Sequence, residues 1–149
     1  MSGAAGGERS HELSAVVASM LERDAFTRWL GAEVVSVRPG HCVLRMRVRA
    51  DMLNGFGVAH GGIAYSLADS AMAFACNSTG DISVAVDTSM SYPTAVRLDD
   101  DLVATAEEER ATKRLGFYRV TVARADGTVV ALFRGTVYRT DRQHDGARL

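Results

Sequence analysis

The feature that most constrains this chain is a long, almost wholly apolar segment that carries one carboxylate. Between Gly61 and Gly80 the only acidic or basic residue is Asp69. The run from Ile63 to about Ser78 is rich in alanine and lacks glycine and proline, which predicts a helix that ends before Gly80. Burying a lone carboxylate on such a helix is costly or raises its pKa, so Asp69 is the first candidate for chemistry.

Length and composition indicate one ordinary globular domain. The chain has 149 residues, of which 47% are hydrophobic and 23% charged, enough to build a single core without the signature of disorder. We expect a domain over residues 10–140, with flexible segments at 1–9 and 141–149. The formal net charge of -1 gives no indication of nucleic acid or an anionic membrane surface as a partner.

The two cysteines point to a reducing compartment. Cys42 and Cys76 lie in apolar surroundings without CxxC spacing, so we expect core thiols and neither a disulfide framework nor a metal site. The first residues lack a basic start followed by a long apolar run, and only the central segment approaches the length of a membrane span. These patterns predict a soluble, cytoplasmic protein.

The periodicity changes along the chain from helix to strand. Apolar spacing predicts helical segments up to Gly31, the first capped by Ser10 and interrupted near Asp24. Period-two patterns predict strands at Glu33–Arg38, His41–Arg49, Ser83–Tyr92, Leu102–Arg114, Phe117–Arg124 and Thr128–Tyr138. The order indicates an α+β fold with an antiparallel sheet wrapped around the long helix. The polar tail from Thr140 is predicted to fray.

Several short motifs together resemble one known family. They are Leu53-Asn54-Gly55, His60-Gly61-Gly62, Ser66-Leu67-Ala68-Asp69, Ala75-Cys76-Asn77-Ser78, Tyr92, Ala104-Thr105-Ala106 and Val130-Ala131-Leu132-Phe133-Arg134-Gly135. Over most of its length the chain resembles the PaaI-type thioesterases of the hotdog fold, named for phenylacetate degradation. The resemblance implies hydrolysis of an acyl-coenzyme A thioester without a metal or redox cofactor. It also implies an obligate homodimer, often paired into a homotetramer.

The resemblance assigns roles to four residues. Asp69 matches the essential carboxylate, and Gly61 matches a glycine whose backbone N–H donates to the thioester oxygen. Asn54 and His60 match residues that position or polarise the thioester. The chain departs from the family at Ala95, where a proline is frequent, and at Asp99, where a glycine is frequent.

The chemistry of thioester hydrolysis suits these residues. Negative charge develops on the carbonyl oxygen, and the free N–H groups at a helix N-terminus receive it, with Gly61 and Gly62 allowing close approach. Asp69 would follow Gly61 by eight residues, or about 12 Å along a helix. One chain does not easily place both groups on one carbonyl. Two copies with antiparallel central helices would do so, which predicts a two-fold dimer with two shared sites.

The residues alone leave some roles open. Asp69 could attack directly or activate a water, the latter being favoured slightly, and burial is expected to raise its pKa. It could also be a structural carboxylate paired to backbone or arginine. His60 could brace the glycine turn, and Asn54 could cap a loop.

Further candidates concern substrate binding. Arg110, Lys113 and Arg114 suit the phosphates of coenzyme A, although they adjoin three glutamates and could form a solvated surface. Tyr65, with Met72 and Phe74, could line an acyl pocket or belong to the core.

Several functions fit these motifs. The leading hypothesis is a thioesterase for aryl-acetyl or hydroxyphenylacetyl-coenzyme A. The alternatives are a hotdog hydratase or dehydratase, a non-catalytic acyl-coenzyme A sensor, and hydrolysis of acyl groups from a carrier protein.

Overall fold

A computed structural model describes residues 14–144 of the chain. The elements are α1 (Ala15–Arg23), α2 (Ala25–Leu30), β1 (Glu33–Arg38), β2 (His41–Arg47), a 3₁₀ turn (Ala50–Met52), α3 (Gly61–Asn77), β3 (Asp81–Ser91), β4 (Asp101–Ala111), β5 (Leu115–Arg124) and β6 (Val129–Gln143). The central helix begins at Gly61, as the placement of the N-terminal donors requires, and ends at Asn77, before Gly80 as predicted.

The six strands form one antiparallel sheet around α3. Their order is β1-β2-β4-β5-β6-β3, which leaves β1 and β3 as the edge strands. Helix α3 contacts all six strands, and its alanines let the helix backbone lie close to the sheet. The predicted α+β arrangement of a sheet wrapped around one helix is confirmed.

One residue, Asp24, caps both helices at the break between α1 and α2. Asp24 ends α1 and begins α2, where its Oδ1 accepts a hydrogen bond from Thr27 N at 2.9 Å. Gly31 ends α2 with φ of 73°, the left-handed conformation that glycine adopts without steric cost. The predicted break and stop are confirmed, whereas Ser10, the predicted first cap, lies outside the described residues. In the structure Ser14 caps α1.

The alternation predicted for β2 is confirmed, but the strand ends earlier. Leu44, Met46 and Val48 are buried in the core. The strand stops at Arg47, and Arg49 precedes the 3₁₀ turn. Its guanidinium donates to the carbonyl groups of Trp29 and Leu30 at the end of α2, where a cation is favoured by the free carbonyls.

The prediction of a frayed tail from Thr140 is wrong for its first residues, since β6 continues to Gln143. Their polar side chains find partners on β3 and in the turn between β4 and β5. The Thr140 hydroxyl donates to the Ile82 carbonyl at 2.7 Å, and Asp141 pairs with Arg114 at 2.7 Å. The polar composition of the tail predicted a solvated segment, but backbone pairing with β3 keeps these residues in the sheet.

Asp99 adopts a left-handed backbone conformation in the turn before β4. Its φ of 66° lies in the left-handed region, where aspartate is tolerated better than most residues. This explains how the chain forms the turn before β4 without the glycine that the family resemblance implies there.

Gly135 sets the distance between β6 and the central helix. A Cβ at this position would lie 2.2 Å from Met72 Sδ and 3.0 Å from Phe133 Cε1, both in the core. Because the interior is close-packed, we expect Gly135→Ala to lower the free energy of unfolding by about 1–3 kcal/mol. Thermal unfolding of the variant and the wild type measures this loss of stability. Gly55→Ala is the control, because a Cβ there meets nothing within 4 Å, and an equal Tm for both variants would contradict the packing argument.

Candidate active site

Asp69 lies two turns into α3 and faces a pocket of about 660 Å³. The walls come from α1, the second half of α3, the start of β3 and the end of β6, and they are mostly apolar. Such a pocket accommodates an apolar group of ligand size, and Asp69 supplies a carboxylate at one end. The arrangement is that expected for a reactive group beside a binding pocket.

The pKa of Asp69 is raised above the ordinary value for a carboxyl group. Burial is the larger cause, and the negative charge of Asp24 across the pocket is the second. The predicted direction of this shift is confirmed. A raised pKa makes the ionised carboxylate a stronger base, which suits proton abstraction from water.

Asp24 is held in place by a short network that ends beside Asp69. Its Oδ2 accepts a hydrogen bond from the Thr27 hydroxyl at 2.6 Å, and that hydroxyl shares a 2.8 Å hydrogen bond with Ser70 on α3. Thr27 and Ser70 are buried. The network fixes the second carboxylate relative to the first.

Asp24→Asn is expected to shift the acidic limb of the rate profile to lower pH. The change removes the charge that raises the pKa of Asp69, so Asp69 stays ionised in more acidic solution. Asparagine caps helices as well as aspartate does, so α2 should persist. The pH dependence of kcat/KM measures the shift. Asp126→Asn removes the same charge at an exposed turn and should leave the limb in place; a limb unmoved in Asp24→Asn would contradict this coupling.

His60 caps the N-terminus of α3. Its Nδ1 accepts a hydrogen bond from Gly62 N at 2.9 Å, so in the neutral ring the proton sits on Nε2. The ring is exposed, which leaves Nε2–H available to donate to a ligand. Gly62 is predicted as a substrate-binding residue that allows close approach, but its N–H is used within the chain, and a Cβ at Gly62 would lie only 3.0 Å from His60 Nδ1.

Gly61 carries an available N–H at the first position of α3. The first N–H groups of a helix have no intrahelical partner, and no hydrogen bond within residues 14–144 uses this one. The Tyr92 hydroxyl donates to the Gly61 carbonyl at 3.0 Å, which fixes the turn. Gly61, His60 and Tyr92 line a second pocket of about 310 Å³.

Asn54 shapes the loop that precedes this turn. Its Oδ1 accepts hydrogen bonds from Phe56 N at 2.9 Å and Val58 N at 3.4 Å. The loop-capping role is therefore present in the structure. Within the described residues its Nδ2 has no hydrogen-bond partner. The Nδ2 group is therefore an available donor in the loop that leads to the N-terminus of α3.

One chain does not bring all of these groups together. Asp69 lines the larger pocket, whereas His60 and Gly61 line the smaller one. The helix rise puts Gly61 and Asp69 about 12 Å apart. The residues form two half-sites at different positions along α3.

Tyr65 and Phe74 belong to the packing between helix and sheet. The Tyr65 hydroxyl shares a 2.7 Å hydrogen bond with Thr88, and its ring meets Phe133 edge-on with centroids 5.6 Å apart. Phe74 is buried in the core, and Met72 alone of the three suggested residues lines the Asp69 pocket. The core alternative describes Tyr65 and Phe74 better.

The three predicted phosphate-binding cations do not share one pocket. Arg110 lines a groove of about 410 Å³ that neither Lys113 nor Arg114 reaches. Arg114 is engaged in its ion pair with Asp141, and Lys113 lies exposed in the turn between β4 and β5. Arg110 is the candidate that remains beside a concave surface.

The sequence missed two parts of the larger pocket. Asp24 was expected only as a break between helices, and nothing in the sequence indicated that its carboxylate faces the pocket. Asn77 and His144 close the far end of the pocket, with His144 Nε2 and Asn77 Oδ1 2.7 Å apart. His144 gave no signal, because it reaches the site only through the pairing of β6 with β3.

Both cysteines are buried free thiols, as expected, and burial raises the pKa of each to about 12. Over residues 14–144, no three His, Cys, Asp or Glu side chains cluster in a way that could hold a metal ion. In the same range, no helix is long and apolar enough to cross a membrane.

Comparison with known proteins decides the family. The family model of the thioesterase superfamily matches residues 56–131, which include Gly61 of one half-site and Asp69 of the other. The chain is 38% identical over 130 residues to acyl-coenzyme A thioesterase PaaI of Escherichia coli strain K12, covering 87% of this chain and 93% of that protein. The chain belongs to the thioesterase superfamily.

Solved structures of thioesterases support this membership. The E. coli PaaI structure superimposes with a TM-score of 0.84 at 36% identity, covering 89% of this chain and 99% of that one. A hypothetical thioesterase protein of Streptococcus pneumoniae TIGR4, solved with coenzyme A, gives a TM-score of 0.78 at 27% identity, covering 83% of this chain and 97% of that one. Human acyl-coenzyme A thioesterase 13 is 33% identical over 131 residues, 85% of this chain and 94% of that protein. The predicted PaaI-type hotdog fold and the predicted enzyme class, a thioesterase, are confirmed.

Proposed function

We propose that this thioesterase hydrolyses acyl-coenzyme A to a free acid and coenzyme A. The observation that carries the proposal is Asp69, a carboxylate of raised pKa at the end of a largely apolar pocket of about 660 Å³. Relatives named for acyl-coenzyme A and a related structure with coenzyme A support the substrate class. The pocket takes the acyl group, and its apolar walls suit an aryl-acetyl group, hydroxylated or not.

In the proposed mechanism, the thioester carbonyl sits between two half-sites. The Gly61 N–H donates to the carbonyl oxygen and stabilises the negative charge that develops there. His60 Nε2–H and Asn54 Nδ2 donate to the same end of the substrate. In one route Asp69 takes a proton from an attacking water, and the tetrahedral intermediate then expels coenzyme A thiolate, which takes up a proton, and leaves the free acid. In the other route Asp69 attacks the carbonyl carbon itself, coenzyme A leaves as an acyl-aspartyl anhydride forms, and water then hydrolyses the anhydride to the free acid and restores Asp69. No metal or redox cofactor takes part in either route.

The proposal requires a homodimer, because Asp69 and Gly61 lie about 12 Å apart on one helix. A second copy with its α3 antiparallel brings Asp69 of one subunit to Gly61 of the other, giving two shared sites. Strand β3 supports this assembly, since it is an edge strand with unpaired backbone groups and an exposed Val86. Such dimers would pair further into a homotetramer, and Arg110 is the candidate contact for coenzyme A phosphates.

Release of free thiol from an acyl-coenzyme A panel tests the function. The panel holds phenylacetyl, hydroxyphenylacetyl, benzoyl and straight-chain esters, and we expect stoichiometric thiol and acid from at least one aryl-acetyl member. Proton exchange or hydration without thiol would indicate a hydratase instead. Tight binding without turnover would indicate a sensor. Turnover of acyl carrier protein alone would move the substrate from coenzyme A to a protein thioester.

A further inference from the structure

The pocket beside Asp69 ends in a polar wall formed by Asn77 and His144. Asp69 and Asn77 are eight residues apart on α3, so the pocket extends about 12 Å along the helix. Between them, Met72 and Ala73 on the helix and Val137 on β6 form apolar sides. A group that enters at Asp69 and follows the helix therefore meets the wall after the length of a medium straight acyl chain, and a single aromatic ring fits within this length.

Asn77 is a rigid part of this wall. It is 2% exposed, its Nδ2 donates to the carbonyl groups of Ala73 and Ser83, and its Oδ1 accepts from Ser83 N at 2.9 Å. The two carbonyl partners fix which end of the amide carries the nitrogen. Because Oδ1 is an acceptor, the bonded Nε2 of His144 must carry a proton.

His144 is anchored from two sides. Its backbone N–H donates to the Gly80 carbonyl at 2.8 Å, and its ring holds Asn77 Oδ1 at 2.7 Å. The residue reaches this place because β6 continues to Gln143 along β3. The ring is thus a fixed side chain, at the end of the pocket opposite the carboxylate.

We propose that the His144 ring is the end wall that limits acyl length in this pocket. The proposal rests on the proposed function, in which the acyl group occupies the pocket. A side chain that ends an apolar pocket excludes longer ligands by steric overlap and by leaving its own polar atoms unsatisfied. Removing the ring while keeping the backbone bond to Gly80 takes away the His144 part of this wall.

His144→Ala tests this limit with a series of straight-chain acyl-coenzyme A esters from butanoyl to tetradecanoyl. One methylene in an apolar pocket changes kcat/KM by about 10- to 200-fold, so the ratio for long over short chains should rise about tenfold or more in the variant. His144→Gln keeps the length and a donor for Asn77 and should retain the wild-type profile. Gln143→Ala, which weakens the same strand without lining the pocket, should retain it as well.

Two further arms keep the outcome decisive. His144→Trp lengthens the wall and should abolish turnover of the longest ester that the wild type accepts. The affinity for non-hydrolysable acyl-coenzyme A thioethers of the same lengths measures the chain-length limit of the pocket without turnover. A wild type that binds these thioethers but hydrolyses no ester would overturn the proposed function, and the length limit would still be measured. Identical chain-length profiles for wild type, His144→Ala and His144→Trp in both assays would overturn the inference.

Discussion

Replacing Asp69 with asparagine is expected to lower kcat for thioester hydrolysis by about 10²- to 10⁴-fold, the usual contribution of a positioned general base. The substitution keeps the shape of the side chain and removes only its basicity. If Asp69 attacks directly, the loss lies at the upper end of this range, since the amide is a poor nucleophile. Thiol release at saturating substrate measures kcat, and size-exclusion chromatography checks that the assembly is unchanged.

The same variant is expected to be at least as stable as the wild type near neutral pH. A carboxyl group whose pKa is raised by folding binds its proton more tightly in the folded state, so stability falls as pH rises through the folded pKa. Removing the charge removes that loss, and the Tm advantage should vanish once the pH is below the ordinary carboxyl range. Equal turnover in wild type and Asp69→Asn would exclude Asp69 from the mechanism, whatever its effect on Tm.

Local sequence signals predicted most of the fold. The change of hydrophobic period separates helices from strands, and the glycine-free alanine run predicts the one helix that contacts every strand. The errors fall where a distant partner decides the structure. The tail after Tyr138 is polar, yet it joins the sheet because Thr140 and Asp141 find partners on Ile82 and Arg114.

The candidate site divides in the same way. Asp69 could be found from the sequence because a charge on an apolar helix stands out, and Gly61 because it opens that helix. Asp24 and His144 could not, since each enters the pocket through tertiary packing of α1 or β6 against α3 and β3. In the sequence alone, Asp24 and His144 look like ordinary polar surface residues.

Gly61→Pro is expected to lower kcat by about 10²- to 10³-fold, the effect of losing one oxyanion donor. Proline has no N–H and is favoured at the first position of a helix, so it deletes this donor with little strain. The preceding His60 has φ of -58° and ψ of 137°, the extended conformation that a following proline requires. Turnover and Tm are measured together, because the prediction is a loss of rate without a loss of fold.

Gly61→Ala is the matched control for this donor. It adds a Cβ that would lie 3.4 Å from the Tyr92 ring, as proline does, but it keeps the N–H group. We expect Gly61→Ala to retain most of the wild-type kcat. An equal loss in both variants would assign the effect to crowding against Tyr92 and would remove the Gly61 N–H from the mechanism.

Mixing the two inactive variants is expected to restore turnover if the site is shared between subunits. In a hybrid of Asp69→Asn and Gly61→Pro, one site combines both substitutions and the other combines an intact Asp69 with an intact Gly61 from the opposite chain. Random pairing makes about half of the dimers hybrids, so about a quarter of wild-type turnover should return. Differently tagged variants, unfolded together and refolded, allow the hybrids to be isolated and assayed. If both groups of a site came from the same chain, every hybrid site would carry one substitution, and turnover would stay at the level of the separate variants.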